Sequence, residues 1–270
     1  MRATCREIRQ SGKRLGFVPT MGALHAGHLS LVQAARSQCA AVAASLFVNP
    51  TQFGPNEDLS KYPRDLDRDR GLLEKENVDL LFAPTAVEMY PRGAVTWVTV
   101  EGLSERLEGK SRPGHFRGVA TVVSKLFNIV EPDRAYFGQK DAQQAVIIRK
   151  MVRDLDLGVE VVVCPTVRES DGLALSSRNV YLNPEERKQA LVLYRALCRV
   201  QALADRGERD ATQLREAALQ VFAEEKPVRL DYFEIVNKDS LEPVKDIVRG
   251  ALVVTAAFVG KTRLIDNLVL

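Results

Sequence analysis

From Leu15 to about Thr166 the chain alternates short apolar, β-rich runs with amphipathic stretches, and few folds accept that pattern. The strand candidates are Leu15–Val18, Ala41–Val48, Val78–Ala83, Val95–Val100, Arg134–Phe137 and Val159–Cys164. Helical periodicity falls between them, at Leu29–Gln38, Pro63–Lys75, Gly118–Ile129 and Ala142–Leu155. Strands rich in Val, Ile and Leu with little polar alternation are buried on both faces, which calls for a parallel sheet covered by helices on each side. The expected fold is therefore α/β, a doubly wound, Rossmann-like N-terminal domain over residues 1–167.

After Val167 the pattern changes. Glu169-Ser170-Asp171-Gly172 reads as a polar turn or hinge. Asn183-Pro184-Glu185-Glu186 reads as a helix start, with Asn183 at the N-cap, Pro184 in the first turn and acids at the positive helix end. That helix should run to about Asp205, with a second from Ala211 to Glu225 and strands at Leu230–Asn237, Ala251–Val259 and Thr262–Leu268. Residues 168–270 are thus expected to form a smaller α+β domain.

Two of the three histidines, His25 and His28, fall in one segment, Pro19-Thr20-Met21-Gly22-Ala23-Leu24-His25-Ala26-Gly27-His28, between the first strand and the first long helix. A strand, a glycine turn and a helix N-terminus present free backbone N–H groups and a positive dipole end, so the segment suits an anion such as a phosphate. Zinc ligation is rejected, because no nearby cysteine or acidic cluster completes a coordination set.

Four more segments place polar side chains at strand ends or in loops. In Phe47-Val48-Asn49-Pro50-Thr51-Gln52-Phe53, Asn49 and Gln52 offer donors and acceptors to a substrate hydroxyl or carboxylate, or else serve turn geometry. In Tyr136-Phe137-Gly138-Gln139-Lys140-Asp141, Lys140 can meet phosphate oxygens, and Asp141 either caps a helix or holds a Mg²⁺ water shell. Gln144 lies one helical turn on. Leu175-Ser176-Ser177-Arg178-Asn179 brings two hydroxyls beside an arginine. Lys110 to Gly118 gathers Arg112, His115 and Arg117 in a Gly- and Pro-containing loop, either a solvated charged face or a functional one.

Composition removes several classes. The hydrophobic fraction of 46% and charged fraction of 27% are those of an ordinary globular protein. A net charge of +3, with no basic–aromatic stripe, argues against nucleic-acid binding. Cys5, Cys39, Cys164 and Cys198 form no CxxC pair, so neither a disulfide framework nor a zinc ribbon is expected. No apolar run is long enough for a signal core or a bilayer span, and a cytoplasmic protein is expected. The Gly pattern of a dinucleotide-binding turn is missing after the first strand, and the histidines already serve an anion site. Both points favour nucleotidyl transfer over hydride transfer or hydrolysis.

Pro19 to His28 resembles the HxGH signature of the nucleotidyltransferase superfamily, in the form found in pantoate–β-alanine ligases. Phe47 to Phe53, Gly114-His115-Phe116, Phe137 to Asp141 and Leu175 to Asn179 match further motifs of that family in the right order. The resemblance implies an ATP- and Mg²⁺-dependent ligase that joins pantoate to β-alanine through a pantoyl adenylate, releasing AMP and pyrophosphate. It implies that Met21, Gly22, His25, Gly27, His28, Gly138, Lys140, Asp141, Val167, Leu175, Ser176, Ser177 and Arg178 line the ATP site. His28, His25, Lys140 and Arg178 would be the catalytic groups. Asn49, Gln52, Gln144, Arg112, His115 and Tyr62 would hold the substrates, the second domain would act as a lid, and the protein would be a homodimer. The segment before Leu15 is shorter than usual there, so an edge strand is expected to be absent or truncated. Ala26 stands where the family often has an acid. The alternatives are an HxGH adenylyltransferase that makes a dinucleotide, and a nucleotide sensor without catalysis.

Overall fold

The computed structural model describes residues 1–55, 57 and 59–270 and divides into two compact units. The first comprises residues 1–139 and 143–165. Its sheet has five parallel strands in the order β3-β2-β1-β4-β5. These are β1 (Leu15–Thr20), β2 (Ala41–Leu46), β3 (Leu80–Phe82), β4 (Arg134–Gly138) and β5 (Glu160–Cys164). Between and around them run α1 (Arg2–Gln10), α2 (Ala26–Gln38), α3 (Leu66–Lys75), the four-residue α4 (Ala86–Met89) and α5 (Glu108–Ser111), α6 (His115–Val130) and α7 (Ala142–Asp154). This is the doubly wound α/β fold expected from the alternation.

All six residues of β2 are buried, as are Leu15 to Val18 of β1. Val18, Val42 and Ala44 join Leu24, Val32 and Ala35 in one core cluster. A large apolar side chain buried in this way contributes about 1.5–3 kcal/mol, so the sheet centre is where the fold is most firmly held. Strand order reverses between β1 and β4. Ligands of such sheets sit in the crevice beyond the carboxyl ends of the strands at that point.

Several elements differ from the sequence reading, among them α3, which starts at Leu66 and not Pro63, and α6, which starts at His115 inside the segment read as a loop. Val95–Val100 forms no strand; the Val98 N–H donates to Thr121 Oγ1 at 3.0 Å instead. Alternating Val and Thr fits a pleated surface, but a strand also needs a neighbouring edge. Helix α2 begins three residues earlier than apolar periodicity placed it, because His25 supplies the N-cap. The N-terminal segment is a helix, α1, with Cys5 buried.

The second unit comprises residues 140–142 and 166–270. It contains α8 (Pro184–Gln189), α9 (Leu191–Asp205) and α10 (Ala211–Ala223), then an antiparallel sheet β6-β7-β8 of Val228–Val236, Leu252–Val259 and Thr262–Val269. Asn183 caps α8 by accepting from the N–H groups of Glu185 and Glu186, while Glu186 Oε2 accepts from Asn183 N at 2.9 Å. The helix expected to run to Asp205 is divided at Ala190. Leu193, Leu197, Leu214, Phe222, Phe233 and Val253 form the core between helices and sheet. Among the described residues no helix is long and apolar enough to cross a membrane.

Candidate active site

The first cluster lies where β1 ends. Gly22 (φ 90°) and Ala23 (φ 52°) turn the chain through the left-handed region before α2. That conformation costs an alanine about 1–2 kcal/mol. The offset comes from Asp69 of α3, which is buried and accepts the N–H of Ala23 at 2.7 Å and of Leu24 at 2.9 Å. Hydrogen bonds to a charged group contribute about 1.5–3 kcal/mol each, more than the strain. Arg68 completes the clamp, donating to Asp69 Oδ1 and to the Leu24 carbonyl, both at 3.1 Å.

The turn delivers His25 to the N-cap of α2. His25 Nδ1 accepts the Gly27 N–H at 3.2 Å, and His28 Nδ1 accepts the His25 N–H at 3.3 Å. A neutral imidazole that accepts at Nδ1 carries its proton at Nε2. Both rings are therefore Nε2–H donors, set beside the backbone N–H groups that begin the helix.

The second cluster follows β2. Asn49 is buried, and its Oδ1 accepts from Thr51 Oγ1 and Tyr90 OH, both at 2.9 Å. Its Nδ2 donates to Gln52 Oε1 at 3.0 Å and to the Gly118 carbonyl at 3.1 Å. Gln52 in turn places Nε2 3.0 Å from Met21 Sδ, so this amide pair abuts the histidine turn. Gly118 permits the approach: a Cβ there would lie 2.5 Å from the Thr51 carbonyl oxygen and 2.8 Å from Gln52 Cα.

Arg112 and His115 stand behind Gln52. Arg112 grips Glu57 through Nε and Nη2 at 2.7 and 2.6 Å, and its Nη1 lies 3.1 Å from His115 Nε2. His115 Nδ1 lies 2.8 Å from the Gln52 carbonyl oxygen, so it must donate there and leave Nε2 to accept from Arg112. Burial, then the Arg112 charge, push His115 down from 6.5 to about 4. Burial alone would raise Glu57, but the Arg112 hydrogen bonds and charge outweigh it and hold the carboxyl below its usual range. Tyr62 is buried with its ring edge-on to Phe53, 5.9 Å between centroids. Gln144 is half-buried in the first turn of α7, beside Gln143, which is tied to Leu103 and Arg106.

In the second unit, Lys140 Nζ lies 3.6 Å from Asp141 Oδ1, and its carbonyl accepts from Asn267 Nδ2 of β8 at 2.8 Å. Arg168 holds the buried Asp266 through both carboxylate oxygens, at 2.6 and 2.9 Å. The segment read as a polar turn or hinge is a closed turn: Arg168 bridges to Ala174, Leu175 N donates to the Val167 carbonyl, and Arg187 grips both Glu169 and Asp171. Ser176 caps the 3-10 turn Ser177–Tyr181 by accepting the Arg178 N–H at 3.2 Å.

The structure thus groups Met21, Gly22, His25, Gly27, His28, Asn49 and Gln52 in the first unit, with Arg112 and His115 supporting Gln52 from behind. Lys140, Asp141, Val167 and Leu175 to Arg178 belong to the second. Sequence reading missed Asp69, Glu57, Tyr90 and Asn267. Asp69 was detectable in principle, since it lies four residues before buried Leu73 and so shares a helix face with it.

The pantoate–β-alanine ligase family model matches residues 1–269. The chain belongs to that family. It is 61% identical over 270 residues to pantothenate synthetase of Koribacter versatilis, covering 100% of this chain and 93% of that protein. To the enzyme of Thermotoga neapolitana it is 59% identical over 270 residues, with 100% and 96% covered. The crystal structure of pantothenate synthetase from Thermus thermophilus superposes with a TM-score of 0.93 at 54% identity, over 98% of this chain and 96% of that one. Pantoate–β-alanine ligase from Francisella tularensis, solved with a β,γ-ATP compound and β-alanine, gives a TM-score of 0.78 at 37% identity, over 98% and 94%.

Proposed function

We propose that the chain condenses pantoate with β-alanine in an ATP-dependent ligase reaction that yields pantothenate, AMP and pyrophosphate. The observation that carries the reading is the contact between Gln52 and Met21, which sets a buried amide pair against a histidine-capped helix N-terminus. The Gln52 amide suits the hydroxyls and carboxylate of pantoate, and the helix end suits a phosphate.

In the first half-reaction a pantoate carboxylate oxygen attacks the α-phosphorus of ATP, and the bond to pyrophosphate breaks. The nucleophile is already anionic and needs no general base. Alignment of two anions and stabilisation of the departing charge are what remain for the protein to supply. Gln52 and Gln144 hold pantoate, with Tyr62, Arg112 and His115 shaping that pocket. Asn49, whose own amide is filled by Thr51, Tyr90, Gln52 and Gly118, orients Gln52 instead of contacting substrate. Met21, Gly22, Gly27 and Gly138 line the nucleotide, and the Nε2–H groups of His25 and His28 face the phosphoryl oxygens. Lys140, Asp141, Val167, Leu175, Ser176, Ser177 and Arg178 belong to the second unit. In this reading they take the remainder of the triphosphate, and the unit acts as a lid. In the second half-reaction the neutral β-alanine amine attacks the acyl carbon, the acyl C–O bond to AMP breaks, and the proton lost from nitrogen passes to the departing AMP phosphate or to solvent. Exclusion of water from the mixed anhydride matters at this stage.

Among the described residues no three His, Cys, Asp or Glu side chains gather into a metal site. Mg²⁺, when bound with ATP, would supply charge neutralisation at the phosphates, and Asp141 would meet its water shell. We assign a homodimer on the exposure of Val95 and Trp97, 82% and 43%, in a β-prone segment of the first unit. A cytoplasmic location is supported by four cysteines that are all free thiols.

The test is pyrophosphate release from Mg-ATP. Pantoate alone should give a single-turnover burst, and added β-alanine should convert it to steady turnover with AMP release. ATP binding without a pantoate-dependent burst would overturn the reading.

A further inference from the structure

Asp69 is an unusual residue to find buried. It lies in a strongly charged helix, Leu66-Asp67-Arg68-Asp69-Arg70, yet is only 2% exposed. A carboxylate enters an interior only with its lone pairs satisfied. Here both oxygens are taken, Oδ2 by the Ala23 N–H and Oδ1 by the Leu24 N–H and Arg68 Nη1. The carboxylate therefore has no open face for a substrate or cation, and every bond it makes leads to the turn before α2.

That turn governs the histidines. Leu24 is joined by one peptide to His25, whose N–H is the donor that orients the His28 ring, and whose own ring is fixed by Gly27. Ala23 is held in the left-handed region, which an alanine leaves readily once its N–H is released. The Gly22 backbone also passes close enough that a Cβ there would lie 3.1 Å from Asp69 Oδ2. From carboxylate to imidazole the sequence is two charged hydrogen bonds, one peptide and one ring acceptor.

Resting on the ligase reading, we infer that Asp69, with Arg68, is a positioning residue for the HxGH histidines. It fixes the direction in which both imidazoles present their Nε2–H groups to the phosphate, without touching substrate itself. Preorganised donors lose much of their effect when displaced by about 1 Å, so a residue buried behind the turn controls the rate of adenylate formation.

The experiment measures single-turnover pyrophosphate release from Mg-ATP and pantoate for the wild type, Asp69→Asn, His28→Ala and the double variant. Asp69→Asn keeps the size but sets an NH₂ group against a backbone N–H. It should slow release by about 10- to 100-fold, with the KM for pantoate changed less than threefold. Because Asp69 acts through the histidine pair, Asp69→Asn should cost clearly less in the His28→Ala background than in the wild type, the remaining loss passing through His25. A merely structural Asp69 gives multiplicative losses instead, and that result, or an Asp69→Asn burst within twofold of wild type, overturns the inference. If Asp69→Asn does not fold, Arg68→Ala takes its place. Arg68 is 54% exposed at its side chain, and its removal should slow release several-fold with the same non-additivity. A wild-type enzyme without any pantoate-dependent burst would instead overturn the ligase reading on which the inference rests.

Discussion

The rings of His25 and His28 lie with centroids 4.1 Å apart, and each gives its Nδ1 to a backbone N–H at the start of the same helix. One residue therefore does two separable things at each position: Nδ1 caps the helix and Nε2 carries the donor N–H. The two functions can be removed one at a time. Asparagine at position 28 places an oxygen near the Nδ1 position, and glutamine places an amide nitrogen near Nε2. His28→Asn should keep the melting temperature within about 2 °C while lowering turnover by about 100-fold or more. His28→Gln should lose up to about 1 kcal/mol of cap stability yet turn over faster than His28→Asn. Melting curves and steady-state rates of the two variants decide it, and the reverse order of rates would remove Nε2 from the reaction.

His115 has the opposite tautomer and gives a pH signature. Its ordinary value is 6.5, and in the folded chain it is about 4, mainly through burial and then through the Arg112 charge. As pH falls the unfolded chain takes the proton first, so the stability that neutral His115 provides is complete above pH 6.5. It is lost as pH drops toward 4. The gap corresponds to about 3 kcal/mol. Wild-type melting temperature should fall by roughly 6–10 °C more over that interval than that of His115→Asn, which keeps a donor for the Gln52 carbonyl but has no titrating ring. Glu57, held below its usual 4.5, adds a further loss in both proteins once pH falls through that value. Equal slopes for the two proteins between pH 6.5 and 4 would refute the burial argument.

Gly118 sits where α6 meets the Asn49–Gln52 turn, and a Cβ there would meet backbone rather than a movable side chain. Gly118→Ala should displace Thr51 and Gln52, raise the KM for pantoate at least tenfold, and destabilise by about 1–3 kcal/mol. Gly71, inside α3, has nothing within 4 Å of the corresponding position. Gly71→Ala should therefore leave kinetics unchanged and stabilise by about 0.5–1 kcal/mol. Kinetics of both variants make the comparison, and normal pantoate affinity in Gly118→Ala would show that the turn is not part of the pocket.

The sheet was legible because strands buried on both faces write their apolar character without interruption, as Ala41–Leu46 does. The HxGH turn was legible because its residues are contiguous. What sequence did not reveal is what arrives from elsewhere in the chain. Asp69 reaches Ala23 across 46 positions, Arg112 reaches Glu57 across 55, and Asn267 reaches Lys140 across 127. Their residue types are those of any solvated surface, and only burial sets them apart. Val95–Val100 failed for the converse reason: its β propensity is strong, but the chain does not bring it into pairing with a sheet edge. The early start of α2 was missed because histidine is an uncommon N-cap, whereas Asn183 and Pro184 announced α8 in the usual residues.

Asn267 supplies the last prediction. Its Nδ2 donates to the Lys140 carbonyl at 2.8 Å, and its neighbour Asp266 is buried against Arg168. The lysine that the proposed reaction places on phosphate oxygens thus has its backbone pinned by the final strand. Removing the amide frees the segment but leaves the lysine present. Asn267→Ala should slow single-turnover pyrophosphate release by about tenfold while ATP affinity changes less than threefold. Asn267→Asp puts a carboxylate oxygen against the carbonyl oxygen it replaces a donor for, which repels rather than merely releases. It should be the slower of the two, although it is closer to asparagine in size. A rank order set by size, with Asn267→Asp nearer wild type than Asn267→Ala, would mean that the amide fills space and does not hold Lys140 in place.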